Sequence, residues 1–183
     1  IPNGITIKRP RVPSPVSADL LALARHDFNK NLPAMFRGIA KLQEMSPRWT
    51  GVLRIVGRSG RQTALVKRLQ RDLPNPKQVQ LIDTMSQQDL LTCMRSSLAL
   101  VSASIEEGFD YPILEAKAEG IPTIVSDISV HREFHDGSSL FFSTADDGTG
   151  LAENVHRLLF DPCLWNQLSR SGLVLAERLS VET

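Results

Sequence analysis

The sequence predicts an α/β fold in which a parallel sheet is covered by helices on both faces. Short apolar, β-branched runs alternate with longer helical patterns along the chain, which is typical of strand, helix, strand units. Several of these runs are followed by loops rich in glycine, acids or bases, as at the ligand-binding edge of such sheets. The chain has 183 residues, of which 42% are hydrophobic, and this length suits one domain with a full core.

The first half of the chain supplies three strands and three helices. The first helix is defined by an apolar stripe at the three and four spacings of one helical face. Ser86, with Asp89 three residues later, predicts a capped start for the third helix. The predicted strands are 20–24, 52–56 and 79–82, and the predicted helices are 32–45, 62–73 and 86–95.

The second half continues this alternation and ends in helices. Pro112 is placed to open a short helix, and Asp161-Pro162 predicts a break within a helical tail that begins at Ala145. The predicted strands are 98–102 and 123–126, with 140–142 as an edge strand. Residues 1–17 hold four prolines and a glycine, so we interpret them as a linker that precedes a domain of residues 18–183.

Composition argues against several classes of function. With 21 basic and 20 acidic residues the net charge is +1, so no overall field attracts nucleic acid or an anionic membrane. No apolar stretch approaches the roughly 20 residues that a membrane-spanning helix needs. The two cysteines form no CxxC pair and the four histidines show no metal spacing. We therefore expect no metal site and favour the cytoplasm as the compartment.

Four loops follow the predicted strands and should meet at one edge of the sheet. They span residues 25–31, 57–61, 83–86 and 104–112. Arg25 and Lys30 in the first loop offer a planar fork and a movable point charge, which together suit a diphosphate. Taken alone, however, two solvated bases on a surface loop explain this pattern better.

The second and fourth loops carry the remaining candidate chemistry. Gly57 and Gly60 frame a strand-to-helix turn where the backbone could approach a ligand, although a turn that needs glycine for its own conformation explains them about as well. Glu107 and Glu115 stand eight residues apart, and carboxylates pair naturally with the vicinal hydroxyls of a ribose or hexose. The alternative for Glu115 is that the helix dipole stabilises it in the first turn of a helix.

Several motifs together resemble one family. EGFDYPILEAKAEGIPTIVSD resembles the EGFGLPxLEAMAxGxPVIxS signature of the GT-B glycosyltransferases, specifically the large retaining family four. RHDFNK resembles the Arg, four residues, Lys motif of that family, VGRSG its VGxG turn, and IPNGI the PNGVD segment that begins its C-terminal domain. SDISVHREF is similar to the SDxPVxRE form of bacterial mannosyl- and related sugar transferases. The resemblance spans nearly all of the chain in the expected order.

The resemblance implies a Rossmann-like domain, the C-terminal, donor-binding half of a GT-B enzyme whose N-terminal acceptor domain is absent from this chain. The donor would be a GDP- or UDP-sugar, with its diphosphate on Arg25 and Lys30 and its sugar hydroxyls on Glu107. The ribose would bind Glu115. The residues implied to complete the donor site through backbone or turn contacts are Gly57, Arg58, Ile82, Asp83, Gly108 and Phe109.

The implied reaction moves a hexosyl group to an acceptor hydroxyl with retention, in polysaccharide, lipopolysaccharide or glycolipid synthesis. No metal or other cofactor is expected, because Arg25 and Lys30 would stabilise the charge that develops on the leaving diphosphate. SDISVHREF favours a GDP-mannose-like donor. The isolated domain should bind nucleotide without efficient transfer, and any contact with the inner face of a membrane would come through parts outside this chain.

Two alternatives stay open at this point, namely a non-catalytic nucleotide-sugar binding module and a related GT-B epimerase or phosphorylase. A phosphorylase would need a pyridoxal-binding lysine, and Lys117 is predicted to lie on the surface. The chain also departs from the family signature, since Asp110 replaces the second glycine of EGFG and Asp83 stands where glycine is common. Another negative charge beside a diphosphate is unfavourable unless Asp110 is turned away or paired.

Overall fold

A computed structural model describes residues 17–181, and within them six parallel strands form one sheet in the order β3-β2-β1-β4-β5-β6. This is the doubly wound order of Rossmann-like domains, so the predicted fold class is confirmed. The strands are β1 Leu20–Leu23, β2 Leu53–Val56, β3 Val79–Ile82, β4 Ala99–Ser102, β5 Thr123–Ser126 and β6 Leu140–Phe142.

Seven α-helices alternate with these strands in the described residues. They are α1 Leu32–Met45, α2 Thr63–Arg71, α3 Gln87–Ser96, α4 Tyr111–Ala118, α5 Ser129–His135, α6 Thr149–Phe160 and α7 Pro162–Val181. The two predicted caps are present, since the Asp89 amide donates to Ser86 Oγ and the Leu164 amide donates to Asp161 Oδ1. The helical tail, however, begins at Thr149 and not at Ala145, because the Asp146 carboxylate accepts the amide hydrogens of Gly148 and Gly150 in a turn.

Two layers of apolar side chains cover the sheet, one on each face. Along β1, Leu20 and Ala22 pack into the cluster formed with α1, α2 and α6, whereas Leu21 packs into the cluster formed with α3 and α4. All three side chains are fully buried. This two-sided burial explains why β1 is a continuous apolar run and not an alternating one.

The last helix, α7, fixes the second half of the domain. Its Trp165 is fully buried and donates an indole hydrogen bond of 2.8 Å to the carbonyl of Leu98, just before β4. Ser169 Oγ donates to the carbonyl of Gly120, at the end of α4, over 2.6 Å. Helix α7 thus lies along α4 and shields it from solvent.

Lys117 is buried, so the expectation that it lies on the surface is wrong. It is 1% exposed because α7 covers the outer face of α4, where Gly172 leaves room for the lysine stem. Its Nζ donates to Ser138 Oγ over 2.5 Å and lies 3.4 Å from His135 Nδ1. Burial lowers the pKa of Lys117 to about 7.

Most of the predicted linker, residues 1–16, lies outside the described residues. Ser17, its last residue, is half-buried, and its hydroxyl donates to the carbonyl of Ser96 over 2.6 Å. Among residues 17–181 we find no helix that is both long and apolar enough to span a bilayer.

Candidate functional site

The candidate site lies where β1 and β4 adjoin at the centre of the sheet. The loops that follow these strands lead to α1 and α4, which pack on opposite faces, and such a switch point opens a crevice at the carboxyl edge of the sheet. β1 and β4 pair in register only at Leu20 with Ala99 and at Leu21 with Leu100. Beyond the strands, the amide of Ile105 donates to the carbonyl of Asn29 over 2.9 Å and joins the two loops.

Lys30 and Glu107 meet across this crevice. Lys30 Nζ lies 2.5 Å from Glu107 Oε1, and the side chains are 20% and 13% exposed. Ser104 Oγ donates a second hydrogen bond of 2.7 Å to the same carboxylate oxygen. Two residues that the sequence analysis assigned to different loops therefore form one partly shielded ion pair.

Arg25 lies on the same loop as Lys30 but does not join this pair. Its Nε lies 2.9 Å from Asp27 Oδ2, and its side chain is 64% exposed. Asp27 also accepts the backbone amide hydrogen of Arg61, so it connects the loop after β1 to the turn after β2. Arg25 is thus held at the rim of the crevice, where solvent reaches its guanidinium.

Gly57 and Gly60 allow the protein backbone to approach itself. A Cβ on Gly57 would lie 2.2 Å from the carbonyl oxygen of Ala24, and one on Gly60 would lie 2.6 Å from the carbonyl oxygen of His26. Both contacts are far below van der Waals distance, so the close approach of the two loops is enough to require glycine at both positions. Arg58, between them, is exposed, and its carbonyl accepts the amide hydrogen of His26 over 3.2 Å.

Ile82 ends β3 and Asp83 follows it, two strands away from the strand that precedes Lys30. The carbonyl of Ile82 accepts the amide hydrogen of Gly57 over 2.9 Å, which aligns the ends of β2 and β3. Asp83 is exposed, and its Oδ1 accepts the amide hydrogen of Ser59 over 3.2 Å. These contacts fix the outer wall of the crevice and leave the Asp83 side chain open to solvent.

The loop before α4 is open at Gly108 and anchored at Phe109. A Cβ on Gly108 would meet no atom within 4 Å, so this backbone faces free space. The Phe109 ring is half-buried and packs against Tyr111 and Phe134 at centroid distances of 5.2 and 5.0 Å. Phe109 therefore anchors the loop through its ring contacts, while the space beside the Gly108 Cα is open.

Glu115 lies on the exposed side of α4, past the first helical turn. The helix begins at Tyr111, which makes Glu115 its fifth residue. Because the dipole effect falls off within the first turn, the helix dipole is a weaker explanation for Glu115 than the sequence suggested. Although the side chain is exposed, the surrounding protein removes part of its water, and this burial raises the pKa of Glu115.

The comparison with protein families decides the class. A family model described as Glycosyl transferases group 1 matches residues 17–161, well over half of the chain. The chain belongs to the group 1 glycosyltransferases. Its sheet order and helix arrangement are those of a GT-B domain.

Individual relatives of this glycosyltransferase domain agree with that assignment. Over 76 residues it is 36% identical to the O-antigen chain mannosyltransferase RfbU of Salmonella typhimurium, a match that covers 42% of this chain and 22% of RfbU. The domain thus corresponds to a minor part of the length of that curated relative.

Two solved structures share the fold. A mutant of S. aureus TarM in complex with fondaparinux, alpha-GlcNAc-glycerol and UDP superposes with a TM-score of 0.83 at 14% identity, over 98% of this chain and 37% of that one. The C-terminal domain of a group 1 family protein (LpcC) from Francisella tularensis gives a TM-score of 0.74 at 19% identity, over 87% of this chain and 84% of that one.

Two features of the candidate site could not be assigned from the sequence, although Asp110 was expected there to be turned away or paired. Asp110 turns its carboxylate away from the crevice, into a buried contact with His131. His26, next to Arg25, is 4% exposed, and within residues 17–181 its Nε2 has no hydrogen-bond partner, while its Nδ1 lies 3.2 Å from Thr63 Oγ1. The only sequence signal for either was the departure at Asp110 from the family signature.

The described residues contain no group of three or more His, Cys, Asp or Glu side chains placed to hold a metal ion. Burial lowers the pKa of His26, so this ring stays neutral near physiological pH. Charged side chains on the elements around the crevice include the Lys30 and Glu107 pair, Arg25 with its partner Asp27, and the exposed residues Arg58, Asp83 and Glu115.

Proposed function

We propose that this domain binds the nucleotide diphosphate sugar donor of an enzyme that moves a hexosyl group to an acceptor hydroxyl. The observation that carries the proposal is the Lys30 and Glu107 pair, which lies in the switch-point crevice of a group 1 glycosyltransferase domain. A cation and a carboxylate side by side match a ligand that is anionic in one part and hydroxylated in the next. The UDP and sugar derivative named for the TarM complex support the same ligand class.

The diphosphate binds Lys30 and Arg25 in this proposal. Lys30 is only 20% exposed, so its charge acts through less water than a surface lysine and attracts an anion more strongly. Arg25 is exposed at the rim, and among residues 17–181 its one ion-pair partner is the near neighbour Asp27. Its guanidinium is therefore able to turn toward a bound anion. Lys30 gives a fixed charge and Arg25 an adjustable one.

The sugar and the nucleoside bind on either side of the diphosphate. Glu107, held by Ser104, accepts hydrogen bonds from the sugar hydroxyls, and the open backbone at Gly108 and Phe109 approaches the sugar or its phosphate. Glu115, on the exposed side of α4, accepts those of the ribose. The backbone at Ile82 and Asp83 meets the base at the outer wall, and Gly57 and Arg58 shape the turn beside it.

Catalysis then follows from charge. As the glycosidic bond breaks, negative charge grows on the leaving diphosphate, and Lys30 and Arg25 stabilise that charge more in the transition state than in the ground state. This role replaces that of a metal ion, so the proposed reaction needs none. Retention of the anomeric configuration is part of the proposal and rests on the family resemblance of the EGFD segment.

The acceptor and the compartment complete the proposal. The match covers 22% of RfbU, so we propose that a second, N-terminal domain supplies the acceptor site and that this domain alone binds donor without efficient transfer. The identity with an O-antigen mannosyltransferase favours a mannosyl donor and a role in polysaccharide or lipopolysaccharide synthesis. The cytoplasm, with membrane contact through other parts of the protein, is the proposed location.

Calorimetric titration with UDP, GDP, ADP and their sugar conjugates tests the donor class. We expect one nucleotide to bind, and its sugar conjugate to bind more tightly. Lys30→Met should weaken diphosphate binding by roughly tenfold or more, since hydrogen bonds to charged groups contribute about 1.5–3 kcal/mol each. Arg25→Ala should weaken diphosphate binding as well. Circular dichroism should show that both variants keep the fold of the unaltered domain.

Matched controls come from bases on other surfaces. Lys77→Met removes an exposed lysine from the 3₁₀ turn Pro76–Gln78 before β3, and Arg68→Ala removes an exposed arginine from α2. Both variants should leave the affinity for nucleotide unchanged. Because Lys30→Met leaves Glu107 partly buried without its partner, the double variant with Glu107→Gln provides the stability control. If no nucleotide in the panel binds the unaltered domain, the proposal is wrong.

A further inference from the structure

Asp110 occupies a strained backbone position at the end of the crevice loop. It is the residue before α4, and its φ of 56° lies in the left-handed region that residues other than glycine rarely adopt. Aspartate tolerates this region better than most residues. Its side chain is 2% exposed and points beneath the loop, so something in the interior must hold a buried carboxylate there.

Two side chains hold that carboxylate. Asp110 Oδ2 accepts a hydrogen bond of 2.7 Å from Ser102 Oγ at the end of β4, and it lies 3.2 Å from His131 Nε2 on α5. By itself burial raises the pKa of Asp110, but the hydrogen bonds from His131 and Ser102 and the charge of Lys30 outweigh it, and the pKa is lowered. Asp110 is therefore an ionised carboxylate.

The other nitrogen of His131 is also held. His131 is fully buried, and its Nδ1 lies 2.9 Å from the carbonyl oxygen of Ser126 and 3.2 Å from Ser126 Oγ. Both ring nitrogens therefore have partners, Ser126 at the end of β5 and Asp110 at the end of the crevice loop. The ring thus joins these two segments within the interior.

The same network reaches Glu107 at the other end of the loop. Ser104 Oγ donates to Glu107 Oε1, and the carbonyl of Ser104 accepts a 2.5 Å hydrogen bond from Ser126 Oγ. Ser126 also holds His131, which holds Asp110. Both ends of the segment 104–110 are thus tied to one buried group of side chains, and Glu107 lies between them.

We propose that the Asp110 and His131 pair is a positioning device that sets the Glu107 carboxylate for the donor sugar. Glycine at residue 110 would leave this corner free to move, whereas the buried pair holds it in one conformation. Asp110 and His131 touch neither the sugar nor the diphosphate in this scheme and act through Glu107. The inference rests on the proposed function where it concerns the sugar, and on the structure alone where it concerns the loop.

The binding test compares two ligands on the same variants. The measured quantity is the ratio of two affinities, that of the nucleotide sugar over that of its free nucleoside diphosphate. We expect this ratio to fall by roughly tenfold in Asp110→Asn, in Asp110→Gly and in His131→Asn, because Glu107 loses its fixed geometry. Binding of the free diphosphate should change less than twofold. Asp136→Asn, which alters an exposed acid just after α5, is the control and should change neither. Equal weakening of both ligands, or of neither, overturns the positioning role.

A second measurement needs no ligand. Amide exchange over residues 104–110 should accelerate at least several-fold in Asp110→Gly and in His131→Asn relative to the unaltered domain, and should stay unchanged in Asp136→Asn. Unchanged loop exchange in the first two variants overturns the inference. If the domain binds no nucleotide, the exchange data still show whether Asp110 and His131 hold the loop in place. Failure of the proposed function is therefore distinguishable from failure of this inference.

Discussion

Lys30 Nζ and Glu107 Oε1 lie 2.5 Å apart, although the two residues are 77 positions apart in the chain. The contact joins the loop that follows β1 to the loop that follows β4, the two central strands. The acid proposed for the sugar is thus the ion-pair partner of the cation proposed for the diphosphate. A ligand with both parts must separate this pair and satisfy each member.

Glu107→Gln should therefore affect two ligands in opposite directions. Free nucleoside diphosphate should bind as tightly as before or several-fold more tightly, because Lys30 no longer has a competing carboxylate and a nearby negative charge is gone. The extra affinity of the nucleotide sugar should be lost. Calorimetry with both ligands measures this, and Glu106→Gln, a change in the exposed neighbouring acid, serves as the control. Weaker binding of the free diphosphate would contradict the scheme.

Two glycines of the crevice should differ sharply in their tolerance of alanine. Gly57→Ala forces a Cβ against the carbonyl oxygen of Ala24, so we expect destabilisation of about 1–3 kcal/mol or more and a displaced loop after β1. Gly108→Ala meets no atom within 4 Å and should change stability by less than about 0.5 kcal/mol. Donor affinity should nevertheless fall in Gly108→Ala, since its methyl enters the crevice. Chemical unfolding and calorimetry together test this contrast.

Lys117 should make stability rise with pH above neutrality. Burial lowers its pKa from the ordinary 10.5 to about 7, so between these values the unfolded chain holds a proton that the folded chain lacks. Stability then increases with pH by up to about 1.4 kcal/mol per unit across that window and is insensitive to this group below it. The difference in free energy of unfolding between Lys117→Met and the unaltered domain should change with this slope over pH 7 to 9. The curve of Lys77→Met should stay parallel to that of the unaltered domain. Parallel curves for Lys117→Met would sink the prediction.

His135 should weaken the fold in acid. Burial, and then the charges of Lys117 and His131, lower its pKa from 6.5 to about 3. Between these values the unfolded chain takes up a proton first, so stability falls as the pH drops from 6.5 toward 3. His135→Asn keeps an acceptor near the Lys117 amine but cannot titrate, and its acid unfolding should begin at lower pH. His156→Asn, at an exposed position on α6, should unfold with the same pH dependence as the unaltered domain.

The sequence predicted elements whose signals are local. Each strand is a short, mostly apolar run, and the apolar stripe of α1 fixes its buried face. The caps at Ser86 and Asp161 need only three following residues. The sequence also predicted that the loops carrying Lys30 and Glu107 meet at one edge, since parallel strands bring their carboxyl ends together. Local periodicity and the family motifs were sufficient for these features, but they did not predict the direct contact between the two side chains.

Features that depend on distant packing could not be predicted. The surface assignment of Lys117 failed because α4 shows no clear apolar stripe, and only α7, whose Gly172 lies more than fifty residues later, makes its outer face an interior. The direction of Asp110 depends on His131, 21 residues away on a helix that the sequence marks only weakly. In both cases the side chain contacts a residue of another helix, and no pattern within its own segment of the sequence identifies that residue.

The narrow pairing of β1 with β4 also bears on how the chain folds. Strands β1, β2 and β3 assemble through neighbours in sequence, and β4, β5 and β6 do so separately, but Leu20 must find Ala99 across nearly eighty residues with only two registered pairs. Closing so long a loop costs entropy before any contact rewards it, so we expect the two halves to join more slowly than either half forms. The crevice lies where β1 adjoins β4, so a chain in which only one half has folded carries only part of the ligand site. We therefore expect ligand binding to require the completely folded domain.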